Sequence, residues 1–400
     1  MNARIYFNIL VFQAVATAAG QLTDLKTYYP SGELKESYQI MNSDSNAIEG
    51  PYRMFDLAGN VIVEGVFQDG NKHGDFKNFY SNGQLQRVTN YQHDLREGIT
   101  KVFGKNGQLL QQSTFENDTL VGAIQSFDEE GTLIKESFFK QGKPDGAVKH
   151  FYPDGQTKEL VTYANGKPNG ITRKYYPNGR PMLEAVYKNG LLDGDYRTFY
   201  QSGSLEMEVA AEQGNRQGTI KIYHENGQLK SKGAYEQGKL EGEYLVYFPK
   251  GSLKSKHRYK QGHRNGKNTD FHENGKTARI ATYSNGGLDV LTKRFSERGI
   301  LTEVRQLKNE LSHEEWKRFD ENGNLIQSTN YENGKKHGLS ILYTNGKKQS
   351  EINFQFGLES GTAFEFYENG STKTESNYQL GKLHGAFIRY FKNGNIEYQG

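Results

Sequence analysis

Residues 151–170 read FYPDGQTKELVTYANGKPNG and contain the pattern on which almost all of the chain is built. One strand ends in an aromatic residue at Phe151, and the Pro-Asp-Gly sequence that follows is typical of a turn. A short strand then leads to Tyr163 and to a second turn that contains two glycines, after which the pattern begins again at Tyr175. Two short strands bounded by such turns predict a β-hairpin.

The glycine of the first turn recurs with a period of 24 residues from Gly59 to Gly323. Gly32 lies 27 residues before Gly59, which predicts a three-residue insertion within residues 41–46, and one residue is missing before Gly346. A fixed period of this length is the signature of a repeat protein. The sixteen first-turn glycines are Gly32, Gly59, Gly83, Gly107, Gly131, Gly155, Gly179, Gly203, Gly227, Gly251, Gly275, Gly299, Gly323, Gly346, Gly370 and Gly394.

Positions in each repeat are counted from its first-turn glycine, so that Phe151 is at −4 and Tyr163 at +8. Position −4 is aromatic in fifteen of the sixteen repeats, and position +8 is aromatic in most. One repeat alone buries too little to offset the entropy of ordering its backbone, at about 1–2 kcal/mol per residue, so neighbouring repeats must pack together. The predicted fold is therefore all-β: an elongated, twisted array of about sixteen 24-residue β-hairpin repeats, an open β-meander or solenoid.

The first turns indicate a type I turn followed by a left-handed glycine. Proline precedes the glycine by two residues in several repeats, as at Pro153 and Pro177. Proline cannot adopt the positive φ that a two-residue type I′ turn requires. This turn pairs position −4 with position +2, which is often leucine. Because alternate residues share a face, the aromatic at −4, the leucine at +2, the small residue at +6 and the aromatic at +8 are expected on one face.

Composition excludes several kinds of protein. The chain has 50 basic and 47 acidic residues and a net charge of +3, which does not indicate binding to nucleic acid or to an anionic membrane. It has no cysteine, which excludes disulfides, thiolate metal sites and thiol nucleophiles. The fold must depend on packing and on backbone pairing.

Residues 1–20 do not belong to the repeat and have the features of a secretory signal peptide. Arg4 is followed by a mostly apolar run, and small residues that suit cleavage occupy positions 16–20. A buried first strand is the alternative. The predicted organisation is a signal peptide at 1–20, a divergent repeat with an insertion at 21–58, and a repeat array at 59–400 that is irregular at 286–323. The prediction is a periplasmic, cell-envelope or secreted protein with no transmembrane segment after signal removal.

The octapeptide YENGKKHG at 331–338, with similar sequences at 67–74 and 378–385, resembles the MORN-repeat variant of YwqK-type antitoxin proteins. The resemblance covers residues 28–400. It implies a β-hairpin array used for protein association, in some members as the neutralising partner of a toxin. Ordinary MORN repeats have a further glycine two residues after His-Gly, and this chain lacks it after His73 and His337. The lipid binding of some ordinary MORN proteins is therefore not transferred.

The sequence contains no catalytic triad or phosphate-binding loop, and it predicts neither enzyme activity nor a cofactor or metal site. His337 and His384 share a column but lie two repeats apart, roughly 19 Å along the sheet, which is too far for one metal ion. Carboxylates such as Asp145 and Glu241 lie in second turns, where turn formation accounts for them. The histidines that lie closer in sequence occupy different columns: His257, His263 and His272.

Position −6 is basic in most repeats, and four successive repeats carry Lys149, Arg173, Arg197 and Lys221 there. These side chains could lay their aliphatic stems across the aromatics at −4 and hold their charges in solvent. They could also form a basic stripe that binds an acidic partner, and the two interpretations are compatible. Acidic residues weaken such a stripe unless they lie on the other face: Glu136, Glu159, Glu184 and Glu208.

The repeat is least regular between Gly286 and Gly323. Val290 and Glu314 replace the second glycine of their turns, and Glu310 replaces the first. A changed loop or a local bend is predicted. Trp316, the only tryptophan, lies in this stretch and is the fifth candidate partner-binding residue if the irregularity marks a contact patch rather than sequence drift.

Two functional classes remain after these exclusions. The first is a non-catalytic protein-binding repeat protein, either an envelope scaffold or an immunity-like protein that blocks a toxin. The second is a structural or adhesive surface ribbon that binds glycans through its aromatic residues.

Overall fold

The computed structural model describes residues 22–41 and 47–400, which form two compact units, one up to Asp193 and one from Gly194. The described residues form β-strands joined by short turns, with one 3₁₀ turn at Asn285–Gly287. The predicted all-β array of hairpin repeats is confirmed. The predicted signal peptide lies outside the described residues, as does most of the predicted insertion at 41–46.

In the first unit, each strand pairs antiparallel with the next in chain order, as expected for consecutive hairpins. The strands are β1 (Leu22–Tyr28), β2 (Leu34–Met41), β3 (Ile48–Phe55), β4 (Val61–Gln68), β5 (Asn71–Phe79), β6 (Leu85–Gln92), β7 (Leu95–Phe103), β8 (Leu109–Glu116), β9 (Thr119–Phe127), β10 (Leu133–Lys140), β11 (Lys143–Phe151), β12 (Thr157–Ala164), β13 (Lys167–Tyr175) and β14 (Pro181–Lys188).

The second unit repeats this arrangement, and the division between the units falls within β15 (Leu191–Phe199). The strands that follow are β16 (Leu205–Glu212), β17 (Asn215–Tyr223), β18 (Leu229–Glu236), β19 (Lys239–Tyr247), β20 (Leu253–Lys260), β21 (His263–Arg264), β22 (Gly266–Phe271), β23 (Thr277–Ser284), β24 (Asp289–Phe295), β25 (Leu301–Lys308), β26 (Leu311–Phe319), β27 (Leu325–Glu332), β28 (Lys335–Thr344), β29 (Lys347–Gln355), β30 (Leu358–Glu359), β31 (Gly361–Phe366), β32 (Thr372–Gln379), β33 (Lys382–Tyr390) and β34 (Ile396–Gln399). Strand β20 pairs with both β21 and β22, and β29 pairs with both β30 and β31.

The first turns have the predicted geometry. The amide of Gly155 donates to the carbonyl of Tyr152 at 2.9 Å, and the amide of Tyr152 donates to the carbonyl of Gln156 at 2.8 Å. Gly155 has φ 82°, the left-handed conformation that the turn requires. Phe151 pairs with Thr157, which confirms the predicted register of −4 with +2.

The repeat that lacks one residue has a different first turn. Thr344 pairs with Lys347, and the two residues between them, Asn345 and Gly346, both have positive φ, at 50° and 74°. This is the two-residue type I′ geometry that Asn-Gly favours. The deletion thus shortens the loop by one residue while the strands remain paired.

The second turns are two-residue loops that hydrogen-bond to the preceding repeat. In the turn between Ala164 and Lys167, the amide of Gly166 donates to the carbonyl of Pro144 at 2.8 Å. The amide of Asn165 donates to the carboxylate of Asp145 at 3.1 Å. Glu241 accepts the amide of Gln261 in the same way at 2.7 Å, so these carboxylates satisfy backbone donors of the next repeat's turn.

One second turn differs from the others, at Asn285–Gly287. Tyr283 pairs directly with Val290, and Ser284 pairs with Asp289, so that four residues form the loop and no bulge follows it. Elsewhere a residue with positive φ forms a bulge at the position of Val290, and a β-branched side chain adopts that conformation poorly. Gly287 and Leu288 lie in the loop here, whereas their counterparts Lys167 and Pro168 pair with the preceding strand.

The two faces of the sheet carry different columns of the repeat. Positions −7 and +6 pair with each other and are the most buried, as shown by Phe76 with Thr89 and by Thr172 with Ala185. Position +8 lies on the same side, and Phe67 contacts Phe76 there with ring centroids 5.4 Å apart. We call this side, with positions −11, −7, −5, +4, +6 and +8, the packed face. The other side, with positions −8, −6, −4, +5 and +7, is the charged face.

The expectation that both aromatic columns share one face is therefore wrong. Tyr223, at −4, donates its hydroxyl to Glu208 at 3.0 Å, and Lys221, at −6, binds the same carboxylate. The reason is a shift in register between −5 and −4 in the first hairpin, as between His150 and Phe151. An extra residue on one strand reverses the alternation of side chains beyond it.

Candidate functional site

The four basic residues predicted at −6 lie on the charged face, two in each unit. In the first unit, Arg173 binds Glu184 with 3.0 Å between Nε and Oε1, and Lys149 lies opposite Glu136 in the neighbouring strand. Both carboxylates are at position +5, which pairs with −6. The first unit thus places both acidic and basic residues along one row.

The second unit has the same pairing. Lys221 Nζ lies 3.0 Å from Glu208 Oε1, and this hydrogen bond holds the pKa of Glu208 below its usual range. Arg197 binds Asp195 on its own strand at 2.8 Å. The row therefore presents charges of both signs, and binding of an acidic partner by these cations stays a prediction.

The sequence analysis did not decide on which face Glu136, Glu159, Glu184 and Glu208 lie. Only Glu159 lies away from this row. Glu159 is on the packed face, where it lies 3.2 Å from His150 and 3.0 Å from Lys174. Burial by itself raises the pKa of Glu159, but its hydrogen bonds with Lys174 and His150 outweigh burial and lower the pKa.

The charged face of the first unit also exposes large apolar side chains. Ile99, Phe138 and Ile171 are 47%, 38% and 42% exposed, and the backbone alternation places them opposite the buried row of the packed face. They lie on β7, β10 and β13, three strands apart, and small residues occupy the same row between them. The strand spacing separates successive large side chains by about 14 Å.

Trp316 lies on the packed face of the second unit, at position −7. It is half-buried and pairs with the fully buried Thr329, and its ring lies 5.9 Å from that of Tyr331. Its Nε1 donates to Glu303 at 2.9 Å. These contacts account for Trp316 by packing, and its role in partner binding stays a prediction.

A second set of cations lies over aromatic rings on the packed face, and sequence reasoning missed it. Arg96 lies 4.1 Å from the centroid of Phe115, and Lys336 lies 4.6 Å from that of Phe354. Each of these cations lies two residues after the left-handed residue that closes the second turn. This regular spacing in the sequence is a signal from which the set could have been predicted. The set comprises Lys72, Arg96, Arg216, Arg264 and Lys336.

The first three repeats form a cleft of about 470 Å³ on the packed face, which we call the aromatic cleft. Its floor is a chain of rings in which Tyr52 contacts Phe67 at 5.5 Å, and Phe76 contacts Tyr91 at 5.4 Å. The residues that line the cleft are Glu36, Tyr38, Ile48, Tyr52, Val63, Phe67, Lys72, Phe76, Asn78, Arg87, Thr89 and Tyr91.

Polar groups lie at both sides of these rings. Glu36 accepts hydrogen bonds from Thr27 at 2.8 Å and from Tyr52 at 2.9 Å. Burial raises the pKa of Tyr52, and the bond to Glu36 raises it further, so Tyr52 stays a hydroxyl donor. Lys72 Nζ lies 5.3 Å from the centroid of Phe76 and 5.1 Å from that of Tyr91, and Arg87 is exposed at the opposite side.

The sequence pattern did not reveal the cleft because position −7 is aromatic in only some repeats. Tyr52 and Phe76 occupy it in two successive repeats, and the residue between them, Gly65, is a glycine at +6. A Cβ atom at Gly65 would lie 2.6 Å from the ring of Phe76. The space for the ring therefore depends on a glycine in the neighbouring repeat.

The second unit contains a half-buried charged cluster, in which His257 is the most buried member. His257 Nε2 lies 2.7 Å from one oxygen of Asp270, and Arg279 Nε lies 3.0 Å from the other. Burial by itself raises the pKa of Asp270, but hydrogen bonds from His257 and Ser255 and the charge of Arg279 outweigh it and hold the pKa at about 2.

Among residues 22–41 and 47–400, no group of three or more His, Asp or Glu side chains is arranged to hold a metal ion. In the same ranges, no helix is long and apolar enough to cross a membrane.

These features define a class of protein, an all-β hairpin-repeat protein with two chemically different faces. The family model of the MORN repeat variant matches ten segments that together cover more than half of the chain, and the chain belongs to this family. MORN repeat proteins are in general non-catalytic binding proteins. The matched residues are 72–93, 96–117, 144–165, 168–189, 216–237, 240–261, 264–285, 315–333, 359–380 and 383–400.

No curated protein matches the chain. Among solved structures, it is similar to chains in the complexes TcdB2-TccC3-Cdc42 and TcdB2-TccC3, each at 11% identity over 95% of this chain. A chain of the Tc holotoxin pore of Photorhabdus luminescens matches at 12% identity over the same share. This chain covers 23%, 24% and 23% of those chains, and each TM-score is 0.16, which is too low to support an argument.

Proposed function

We propose that this chain is a non-catalytic protein-interaction repeat protein whose partner binds the charged face of the first unit. The observation that supports this proposal is the row of Ile99, Phe138 and Ile171, large apolar side chains that are exposed at regular intervals. Exposed apolar residues that recur along one row and border charged residues are typical of a protein-binding surface.

The dimensions of this row also favour a protein partner. Ile99 and Ile171 lie six strands apart, which corresponds to about 29 Å. A surface of that length exceeds a small molecule. The neighbouring row carries both signs of charge, as in the pair of Arg173 with Glu184, so a complementary partner would present an apolar ridge bordered by charges of both signs.

The test is a triple variant, Ile99→Thr, Phe138→Thr and Ile171→Thr. Threonine retains the preference for strands, so the array should fold normally and lose only the exposed apolar area. The partner would be isolated from the native organism on the wild-type chain, and its affinity for both chains measured. We expect at least a tenfold loss, because buried apolar anchors dominate the affinity of protein interfaces.

The matched control is Leu95→Thr with Leu191→Thr. These leucines are 40% and 53% exposed but are the first residues of β7 and β15, next to second turns and outside the row. They should leave the affinity unchanged. Equal loss in the control and in the triple variant would refute the proposed surface.

We also propose that the partner is a protein toxin. The support is the resemblance of YENGKKHG at 331–338 to the YwqK-type antitoxin proteins. A toxin gene beside this gene would identify the candidate partner, and co-expression should restore growth to cells that produce that toxin. Growth arrest that persists when both proteins are present and bound would overturn the antitoxin role.

Export to the periplasm, the cell envelope or the medium is part of this proposal. Its support is the signal-like composition of residues 1–20. Mass spectrometry of the native protein should find a chain that starts near Ala19 or Gln21. An intact Met1 in the cytoplasmic fraction would contradict export.

A further inference from the structure

The aromatic cleft is bordered by two cations that have no carboxylate partner among the described residues. Arg87 is exposed at position +4, and the amine of Lys72 lies over the rings of Phe76 and Tyr91. The one carboxylate of the cleft, Glu36, already accepts two hydroxyl groups. The cleft therefore has a net positive charge, with one unpaired cation at each side of an apolar floor.

The rings of the cleft form a ridged floor. Tyr52 and Phe67 are inclined at 66°, Phe67 and Phe76 at 83°, and Phe76 and Tyr91 at 77°. Each pair sets the edge of one ring against the face of another. A sugar ring stacks best on an exposed flat face, whereas a side chain fits into the grooves on the surface of a ridged floor.

The size of the cleft suits a short peptide segment. Its volume of about 470 Å³ lies within the range of about 300–1,000 Å³ that is usual for ligand sites. It extends from β2 to β6, about 19 Å across the sheet, which is the length of about six residues of extended chain.

We infer that the aromatic cleft binds an extended peptide segment of a protein in which an aromatic side chain lies between carboxylates. The aromatic side chain contacts the rings of Tyr52, Phe67 and Tyr91. The carboxylates pair with Lys72 on one side and Arg87 on the other. This site goes beyond the proposed function, because it lies on the packed face and recognises a different chemistry.

The test uses the full chain and three blocked tripeptides, Asp-Phe-Asp, Lys-Phe-Lys and Asp-Gly-Asp, with affinities measured by calorimetry or NMR titration. Asp-Phe-Asp should bind best at low salt. Arg87→Gln and Lys72→Gln should each weaken it about threefold and together about tenfold, as expected for exposed charged contacts.

Lys135→Gln is the matched control, since Lys135 is an exposed cation at the same position +4, two repeats further along. It should leave the affinity unchanged. Arg87→Gln is expected to fold normally because Arg87 is exposed, and circular dichroism checks this for both variants.

Three results would overturn the inference. Lys-Phe-Lys or Asp-Gly-Asp could bind as tightly as Asp-Phe-Asp does, or the variant with both Lys72→Gln and Arg87→Gln could bind Asp-Phe-Asp as tightly as the wild type. Tighter binding of cellohexaose or polygalacturonate than of Asp-Phe-Asp would also overturn it, in favour of a glycan site. Failure here is distinguishable from failure of the proposed function, because the Ile99, Phe138 and Ile171 variant alters only the charged face.

Discussion

The hydroxyl of Tyr152 donates a 2.8 Å hydrogen bond to the backbone carbonyl of Tyr175, one repeat further along the chain. The same bond links position −3 to position −4 of the next repeat in several places. It therefore couples each first turn to its neighbour, in addition to the strand pairing. Further examples are Tyr29 with Phe55, Tyr80 with Phe103, Tyr200 with Tyr223, and Tyr367 with Tyr390.

Removal of this hydroxyl should weaken one junction between repeats. We expect Tyr152→Phe to lower the free energy of local unfolding at this junction by about 1 kcal/mol, because the carbonyl of Tyr175 loses its side-chain donor. Amide hydrogen exchange should accelerate about fivefold near that junction. Tyr163→Phe is the control, since the hydroxyl of Tyr163 makes no hydrogen bond to the described residues, and exchange at the junction should stay as in the wild type.

Glu314 occupies a left-handed position where most repeats have glycine, with φ 59°. Glu314→Gly is expected to stabilise the second unit by about 1 kcal/mol, because glycine adopts this conformation without steric cost. Urea unfolding followed by the fluorescence of Trp316 measures the change. In the next repeat Gly338 has φ 84°, and Gly338→Ala should destabilise by a similar amount. Lower stability of Glu314→Gly would contradict this explanation.

The low pKa of Asp270 makes the stability of the second unit depend on pH. Its pKa falls from 3.8 to about 2 on folding, so ionised Asp270 stabilises the fold above about pH 4, and this contribution is lost as the pH falls towards 2. The shift corresponds to about 2 kcal/mol.

We expect Asp270→Asn to be less stable than the wild type at pH 6 and nearly equal to it near pH 2, as measured by urea unfolding with Trp316 fluorescence. Asp195→Asn is the control, because Asp195 pairs with Arg197 at a site where its side chain is 61% exposed. Its effect should be small at every pH. A constant difference between Asp270→Asn and the wild type from pH 6 to pH 2 would exclude this linkage.

The cations at −6 should contribute to partner binding only through several weak contacts. In the first unit, Lys149→Gln with Arg173→Gln should weaken binding by less than about tenfold at low salt, because exposed charges contribute little. Arg197→Gln with Lys221→Gln, in the second unit, should weaken binding less still, because the proposed surface lies on the first unit. Both effects should disappear at about 1 M salt, where the screening length is about 3 Å.

The control for these pairs is Lys105→Gln with Lys250→Gln, two exposed lysines of first turns. It should bind as the wild type does. Complete loss of binding from Arg173→Gln alone would indicate a local pocket in place of a distributed surface.

The sequence by itself determined the repeat, the strands and the first turns of this protein. Pro153 excludes the two-residue type I′ turn that Asn-Gly would otherwise favour. Gly155 supplies the left-handed residue that ends the type I turn formed instead. The pairing of Phe151 with Thr157 follows from this local geometry. Such features are readable because they depend on backbone conformation over a few residues, and the period repeats the signal sixteen times.

The tertiary structure alone decided which columns share a face. A bulge between +2 and +4 reverses the alternation, so Phe151 and Tyr163 lie on opposite sides although their spacing in the sequence suggested one side. The aromatic cleft likewise depends on residues from three repeats, among them Gly65, which leaves space for Phe76. The physical reason is that a bulge and a contact between neighbouring strands change the direction and surroundings of a side chain without changing the period of the sequence.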